Sequence, residues 1–280
     1  MSCDEQRIAE LNEICVNMRR TILEIVYRAQ SGHMGGSLSC VEILAALYLE
    51  KMNPRPFNLQ DPNRDRFILS KGHAAPALYT MLAYIGLIPR EELLSLRRLG
   101  SCLQGHPDMK GTPGVEMSSG PLGLGLSVAV GMALAARLDN LTYRTYVLLG
   151  DGEIQEGIIW EAAMAASKYA LHNVTAILDY NGVQLDGTCN QIMPLRDVAA
   201  KFASFGWNVL ECDGHSVTEI ANAIDRAASC RQGPSLVIAR TVKGKGVSFM
   251  EGQNAWHGKP VDEASYQRAA TEIGGFSYAK

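Results

Sequence analysis

A single doubly wound α/β domain with a mostly parallel sheet flanked by helices is the class this sequence predicts, and three observations predict it. Short runs of Val, Ile and Leu recur in DRFILSKGH, TYRTYVLLGDG, VTAILDYNG, WNVLECDGHS and SLVIARTVKGKG, without the polar alternation of a half-solvated strand. Each run ends in polar, Gly-rich residues. Helical patterns lie between them, and such strands belong in a parallel sheet covered on both faces. No repeat, low-complexity tract or Pro/Ser linker divides the chain, so residues 1–280 read as one domain. In such folds ligands lie beyond the carboxyl ends of the strands, where these Gly-rich turns fall.

Taken in order, Ile8, Leu11, Cys15, Met18, Ile22, Ile25 and Val26 share one side at helical spacing and predict a long amphipathic helix ending near Gln30, before SGHMGGSLS. A second helix is expected from about Ser39 to Lys51 on Val41, Ile43, Leu44 and Leu47. Arg66–Leu69 is a short strand, followed by a turn and a helix. EGIIWEAAMAASKYA is helical, and His172 in YALHNVT falls at its end as a partner for the helix dipole. In DGHSVTE, Ser216 and Glu219 have capping-box spacing and mark a helix start, so His215 carries no site role in this reading. From about Gly244 the chain is loop-rich and then helical.

At 47% hydrophobic and 20% charged residues, the composition is that of a globular protein able to bury about three quarters of its unfolded surface. A net charge of -3 argues against nucleic acid or an anionic membrane as partner. No apolar run is long enough to span a bilayer, and MSCDEQ lacks the features of a signal peptide. Seven cysteines without a C-x-x-C pair suit reduced thiols better than a disulfide scaffold or zinc site. A cytoplasmic location is the expectation.

Two turns then pose the functional question. LLGDGEIQEG sets Asp151 between Gly150 and Gly152; about thirty residues later ILDYNGVQLDG brings Asn181 to the next strand end. The flanking glycines permit positive φ and close approach of a phosphate, and the helix beginning beyond them favours an anion. Asp151 would repel that anion, and a divalent cation between them removes the conflict. Mg²⁺ takes octahedral oxygen ligands and keeps phosphate partners. Asp151, the Asn181 side chain and a carbonyl from the Asn181–Val183 turn would supply three oxygens. Strand–helix–strand spacing puts both turns at one sheet edge.

GDG with a downstream NGV resembles the diphosphate-binding motif of thiamine diphosphate enzymes. SGHMGGSLSCVEIL, DRFILSKGHAAPALY, QGHPDMKGTPGVEMSSGPLGLGLSVAVGMA and AWHGKP resemble, in order, the successive signatures of transketolase. The resemblance covers nearly the whole chain but only the N-terminal half of a full-length transketolase, as in the N-terminal subunit of a two-chain enzyme. It implies thiamine diphosphate and Mg²⁺ as cofactors and transfer of a two-carbon ketol unit from a ketose (phosphate) to an aldose (phosphate).

Residue by residue, the resemblance implies Mg²⁺ ligands at Asp151, Asn181 and the Val183 carbonyl. It implies cofactor contacts at Gly120, Leu122, Gly150, Gly152, Glu153 and Lys243. His73 and His257 would meet the diphosphate and lie near the reacting sugar, while His33 and His106 would meet the donor's hydroxyls. Glu156 would join a carboxylate network across a subunit interface. Four of the six histidines, His33, His73, His106 and His257, stand beside glycines in predicted loops, which suits a site better than a core. Gly120, Gly123 and Gly125 suit cofactor approach and close helix packing equally. Lys243 and Lys245 read equally as plain loop lysines, and Glu156 is favourable at a helix start for dipole reasons alone.

The GT of DMKGTPGVE departs from the family near His106. No segment matches the family's second half, which supplies the glutamate at the aminopyrimidine and the basic grip on a sugar phosphate. A C-terminal transketolase subunit is therefore the implied partner, two of each chain forming a heterotetramer. An α-type 2-oxo acid dehydrogenase chain, a 1-deoxyxylulose-5-phosphate synthase and a non-catalytic cofactor-binding subunit are the rival readings.

Overall fold

The computed structural model describes residues 3–55 and 57–274. Five strands, β1 (Arg66–Leu69), β2 (Thr145–Gly150), β3 (Val174–Tyr180), β4 (Asn208–Asp213) and β5 (Ser235–Arg240), form one sheet in the order β1-β2-β3-β5-β4. Every strand pair in it is parallel. Gly150 is level with Asp179, and Asp179 with Ala239, so the turns that follow these strands leave from one edge.

Helices α1 (Cys3–Ala29), α2 (Met34–Leu38), α3 (Val41–Ala45), α4 (Ala75–Tyr84), α5 (Leu124–Leu138), α6 (Gly157–Lys168), α7 (Cys189–Ile192), α8 (Val198–Ser204), α9 (Val217–Ser229) and α10 (Glu263–Glu272) complete the described elements, with short 3₁₀ turns between. Strand side chains alternate between two cores. Leu69, Leu148, Ile177 and Val237 pack with α1, α3, α4 and α9, whereas Ile68, Val147, Leu178 and Ile238 pack with α5, α6 and α8. Both faces are thus apolar, which explains the missing polar alternation. The loop after β1 turns towards the first core and that after β2 towards the second; β3 and β5 diverge in the same way. These two divergences are switch points, and they flank the turns holding Asp151 and Asn181.

The face of α1 is the expected one from Leu11 onward, with Leu11, Cys15, Met18, Ile22, Ile25 and Val26 buried, whereas Ile8 in its first turns is exposed. The second helix differs from expectation. Helical structure begins at Met34 inside the glycine-rich stretch, breaks after Leu38, resumes at Val41 and closes in a π-helical turn at Ala46–Lys51. Tertiary packing overrides propensity here. A Cβ on Gly35 would lie 3.0 Å from Lys243 Cγ, and one on Gly36 would lie 3.1 Å from His73 Nε2. The glycines bring α2 against the loops of the sheet edge. Gly125 does likewise for α5, since a Cβ there would lie 2.4 Å from Ser70 Cβ at the end of β1.

Two further expectations are corrected. His172 lies beyond α6, whose last turn carries Lys168, while the Arg137 guanidinium donates to the Tyr169 carbonyl. Burial lowers the His172 pKa, so a neutral ring stands there and not a dipole cation. Ser216 does cap α9, accepting from Glu219 N at 3.2 Å, but the Glu219 carboxylate reaches back to Asp213 N, not to the cap residue.

Candidate active site

At the carboxyl edge of β2 and β3, Asp151 is 3% exposed. Its carboxylate accepts from Gly152 N at 2.8 Å and from Gly182 N across the gap between the strands. Burial and the nearby Asp179 charge push its pKa up to about 6. Asn181 Oδ1 accepts from Val183 N at 3.1 Å, closing the turn in which Gly182 has φ +76°. The Val183 carbonyl accepts from Lys243 Nζ at 3.0 Å, and the same ammonium lies 2.7 Å from His257 Nδ1. An ammonium donates, so Nδ1 of His257 accepts and its Nε2 carries the proton.

From His257 the site continues as a packed group of imidazoles. Its ring centroid is 5.0 Å from that of His73 and 5.3 Å from that of His33, which stands 6.2 Å from His106. A Cβ on Gly120 would touch the His106 ring at 3.4 Å, and φ +147° at Gly120 also excludes a side chain. Hydrogen bonds and ring contacts therefore link Asn181, Val183, Lys243, His257, His73, His33 and His106 in one chain, with Asp151 joined at Gly182 N and Gly120 packed against the His106 ring. The rings come from different loops, and their shared location is the main result. All four are held below the usual histidine range. Burial is the first cause for each; with the Arg97 charge next it brings His33 to about 4, and with the Lys243 charge next it brings His257 to about 3. Neighbouring cations add to burial at His73 (Lys71) and at His106 (Arg97). At neutral pH the cluster consists of uncharged donor–acceptor rings.

The other expected residues sit differently. Glu153 is corrected: at 2% exposure its carboxylate accepts from Gly150 N at 2.9 Å, Gly123 N at 2.8 Å and the Ser70 hydroxyl. It braces the turn from below. Gly152 is needed for space and not for positive φ, because its φ is -62° and a Cβ would lie 3.1 Å from Gln184 Cβ. Nor does a helix start directly follow Asp151, since a 3₁₀ turn at Glu153–Gln155 precedes α6. Leu122 and Glu156 are exposed at the rim, with Glu156 packed beside Gly123.

Sequence reading missed a buried ion pair beneath the cluster. Lys71 is 1% exposed and Asp179 0%. The Lys71 ammonium pairs with Asp179 and donates to the Gly36 carbonyl at 2.9 Å, while Ser39 and Thr241 hydroxyls also donate to Asp179. Burial alone would raise the Asp179 carboxyl, yet Lys71 and these donors hold it below the usual range. Both residues were legible in SKGHA and ILDYNG as polar groups beside apolar runs. Arg97 was missed as well. At φ +60°, it donates to Ser31 Oγ at 3.0 Å and brings Nη2 to 3.5 Å from His33 Nδ1.

This donor set suits an anion bridged by a hard cation. Asp151, Asn181 and the Val183 carbonyl offer only oxygen, the preference of Mg²⁺. The Cys189 thiol lies against Asp151, and burial pushes it up to about 12. A cation would relieve the buried Asp151 carboxylate, and Gly36, Gly72 and Gly152 let His73, Ser119 and Gln184 pack close around the turns, since a Cβ would lie 3.1 Å, 2.6 Å and 3.1 Å from them. Ser119 Oγ, buried against Gly72, has no hydrogen-bond partner among the described residues.

Comparison with known proteins then decides the family. Residues 11–279 match the model described as transketolase, thiamine diphosphate binding domain. The chain belongs to the transketolase family. It is 46% identical over 256 residues to an apulose-4-phosphate transketolase subunit of Phocaeicola vulgatus, covering 91% of this chain and 90% of that one. It is 45% identical to the 6-deoxy-6-sulfo-D-fructose transketolase subunit SqwG of a Clostridium species, covering 91% and 93%. Human transketolase is 37% identical, but the match spans 96% of this chain and 43% of the human one. The Pichia stipitis transketolase structure superposes with a TM-score of 0.90 at 34% identity, over 95% of this chain and 41% of that chain. This is a transketolase N-terminal region, of the length of the subunits and less than half the length of the single-chain enzymes. Among the described residues, no helix is long and apolar enough to cross a membrane.

Proposed function

We propose that the chain is the N-terminal subunit of a two-chain, cytoplasmic transketolase that moves a two-carbon ketol unit from a ketose phosphate, or a similarly acidic ketose, to an aldose phosphate. The observation that carries this reading is the convergence of four neutral histidines and Lys243 beside the Asp151–Asn181 turns. The partner is a C-terminal transketolase subunit, two copies of each chain forming the assembly. Relatives of nearly the same length named as transketolase subunits support that choice. Their names also favour a specialised sugar acid or branched sugar over the general pentose phosphates.

Asp151, Asn181 and the Val183 carbonyl would hold Mg²⁺, and Lys243 beside them would neutralise diphosphate charge. When bound, thiamine diphosphate supplies the electron sink for breaking and making a carbon–carbon bond. His257 presents its Nε2 proton, and His73 lies beside it. Both serve the diphosphate and the reacting oxygens. His33 and His106 exchange hydrogen bonds with the donor's hydroxyls, a task for neutral rings. The test is a ketol-transfer assay of the assembled chains with a panel of ketose donors. His106→Ala should lower kcat by about 10²-fold while leaving thiamine diphosphate affinity near that of the parent. His73→Ala should reduce both. Loss of cofactor by His106→Ala, with normal turnover at saturating cofactor, would exchange the two assignments.

A further inference from the structure

His215 lies outside the imidazole cluster, yet its ring touches the loop that carries Lys243. Its Nε2 accepts from Val242 N at 2.8 Å. A backbone amide can only donate, so Nδ1 carries the ring proton and donates to Glu42 Oε2 at 3.0 Å. Glu42 is 6% exposed and is gripped on both oxygens by Arg19, at 2.7 Å each. Arg19, also 6% exposed, uses its Nε to hold the Lys245 carbonyl at 3.0 Å. The three side chains therefore grasp the 241–247 loop on either side of Lys243, at Val242 N and Lys245 O.

The loop is fitted to this grip. Gly246 has φ +93°, and a Cβ there would lie 3.0 Å from Arg19 Cδ. Gly244 N donates to Gly35 O at 3.0 Å and Gly252 N to the Lys243 carbonyl at 2.9 Å, so the backbone of Lys243 cannot rotate alone. Its side chain runs past Gly35 to the Val183 carbonyl and His257. Burial of a bidentate ion pair is costly unless all its groups are satisfied. Here Arg19 Nε is spent on the loop, Arg19 Nη2 also reaches the Leu38 carbonyl at 3.5 Å, and Glu42 accepts from the histidine that holds the loop.

We propose that Arg19, Glu42 and His215 form a buried clamp on the 241–247 loop that aims the Lys243 ammonium at the Val183 carbonyl and His257. His215 is then a positioning residue, acting on the ligand only through Lys243. The consequence for affinity rests on the diphosphate role of Lys243 proposed above, and the test separates the two.

The full chain and its His215→Ala, His215→Gln, Lys243→Ala and doubly substituted His215→Ala/Lys243→Ala forms are compared by amide hydrogen exchange and by NMR titration with thiamine diphosphate and Mg²⁺. In His215→Ala, exchange of the 242–246 amides should quicken at least tenfold while the β2 and β3 amides keep their rates, and affinity should fall about tenfold. His215→Gln, whose amide oxygen can accept from Val242 N, should restore most of both. Added to Lys243→Ala, the His215→Ala change should cost no further affinity, because residues acting through one another are not additive. Unchanged loop exchange in His215→Ala, no recovery with glutamine, or an equal affinity loss with and without Lys243 would each overturn the clamp. Should Lys243→Ala itself leave affinity unaltered, the diphosphate role falls, and loop exchange alone still decides the clamp.

Discussion

Replacing Asp151 by alanine is expected to abolish Mg²⁺-dependent thiamine diphosphate binding in the assembled enzyme, a loss of at least ~100-fold, with the fold retained. Asp151 is a buried carboxylate that accepts from Gly152 N and from Gly182 N, the latter across the β2–β3 gap, with the Cys189 thiol also against it. With its pKa raised to about 6, it is destabilised as an anion until a cation stands opposite. The substitution removes the one carboxylate among the three oxygens assigned to the ion. Two backbone amides are left to water, a modest cost to stability. Calorimetry on the assembled complex measures the affinity, and circular dichroism the fold. Parent-like affinity would remove Asp151 from the metal site.

The second large effect concerns the chain by itself. Purified without a partner, it should bind thiamine diphosphate weakly and show no ketol transfer, and adding a C-terminal-type subunit should restore both. The groups found at the sheet edge, three oxygens that suit a cation, a lysine and neutral imidazoles, fit the diphosphate end of the cofactor. A thiamine diphosphate enzyme also needs a carboxylate beside the aminopyrimidine. The buried acids near the turns are already committed, Glu153 to three donors of the chain and Asp179 to Lys71. Exposed Leu122 and Glu156 at the rim suit a covering partner. Turnover by a rigorously partner-free preparation would show that an acid of this chain performs that task.

The architecture was legible because strands buried on both faces cannot alternate, and Val-, Ile- and Leu-rich runs ending in glycine say so directly. The four cluster histidines were legible because each stands beside a glycine in a loop and not on an apolar helix face. Other features depend on contacts between distant positions. Lys71 and Asp179 are 108 residues apart and His215 and Glu42 are 173 apart, so neither partner announces the other. Glu153 shows the opposite failure. The resemblance implied a cofactor contact there, but its carboxylate is turned to Gly123 N, Gly150 N and Ser70. Helical structure at Met34–Leu38 was hidden because its glycines serve close packing, which propensity does not register.

The four uncharged rings also set how the protein meets acid. A histidine whose folded pKa lies below its unfolded value of about 6.5 gives stability that is whole above pH 6.5 and drains away as pH falls towards the folded value. In that interval the unfolded chain takes up protons that the folded chain refuses. His33, at about 4, and His257, at about 3, have wide intervals of this kind, and His73 adds to them. The unliganded chain should therefore lose thermal stability steadily between pH 6.5 and 4, and His33→Asn combined with His257→Asn should flatten that decline. Melting curves across this range would measure it, and an unchanged slope in the double variant would place the acid response elsewhere. The same crowding of buried rings that keeps the cluster neutral makes it an acid-labile point of the fold.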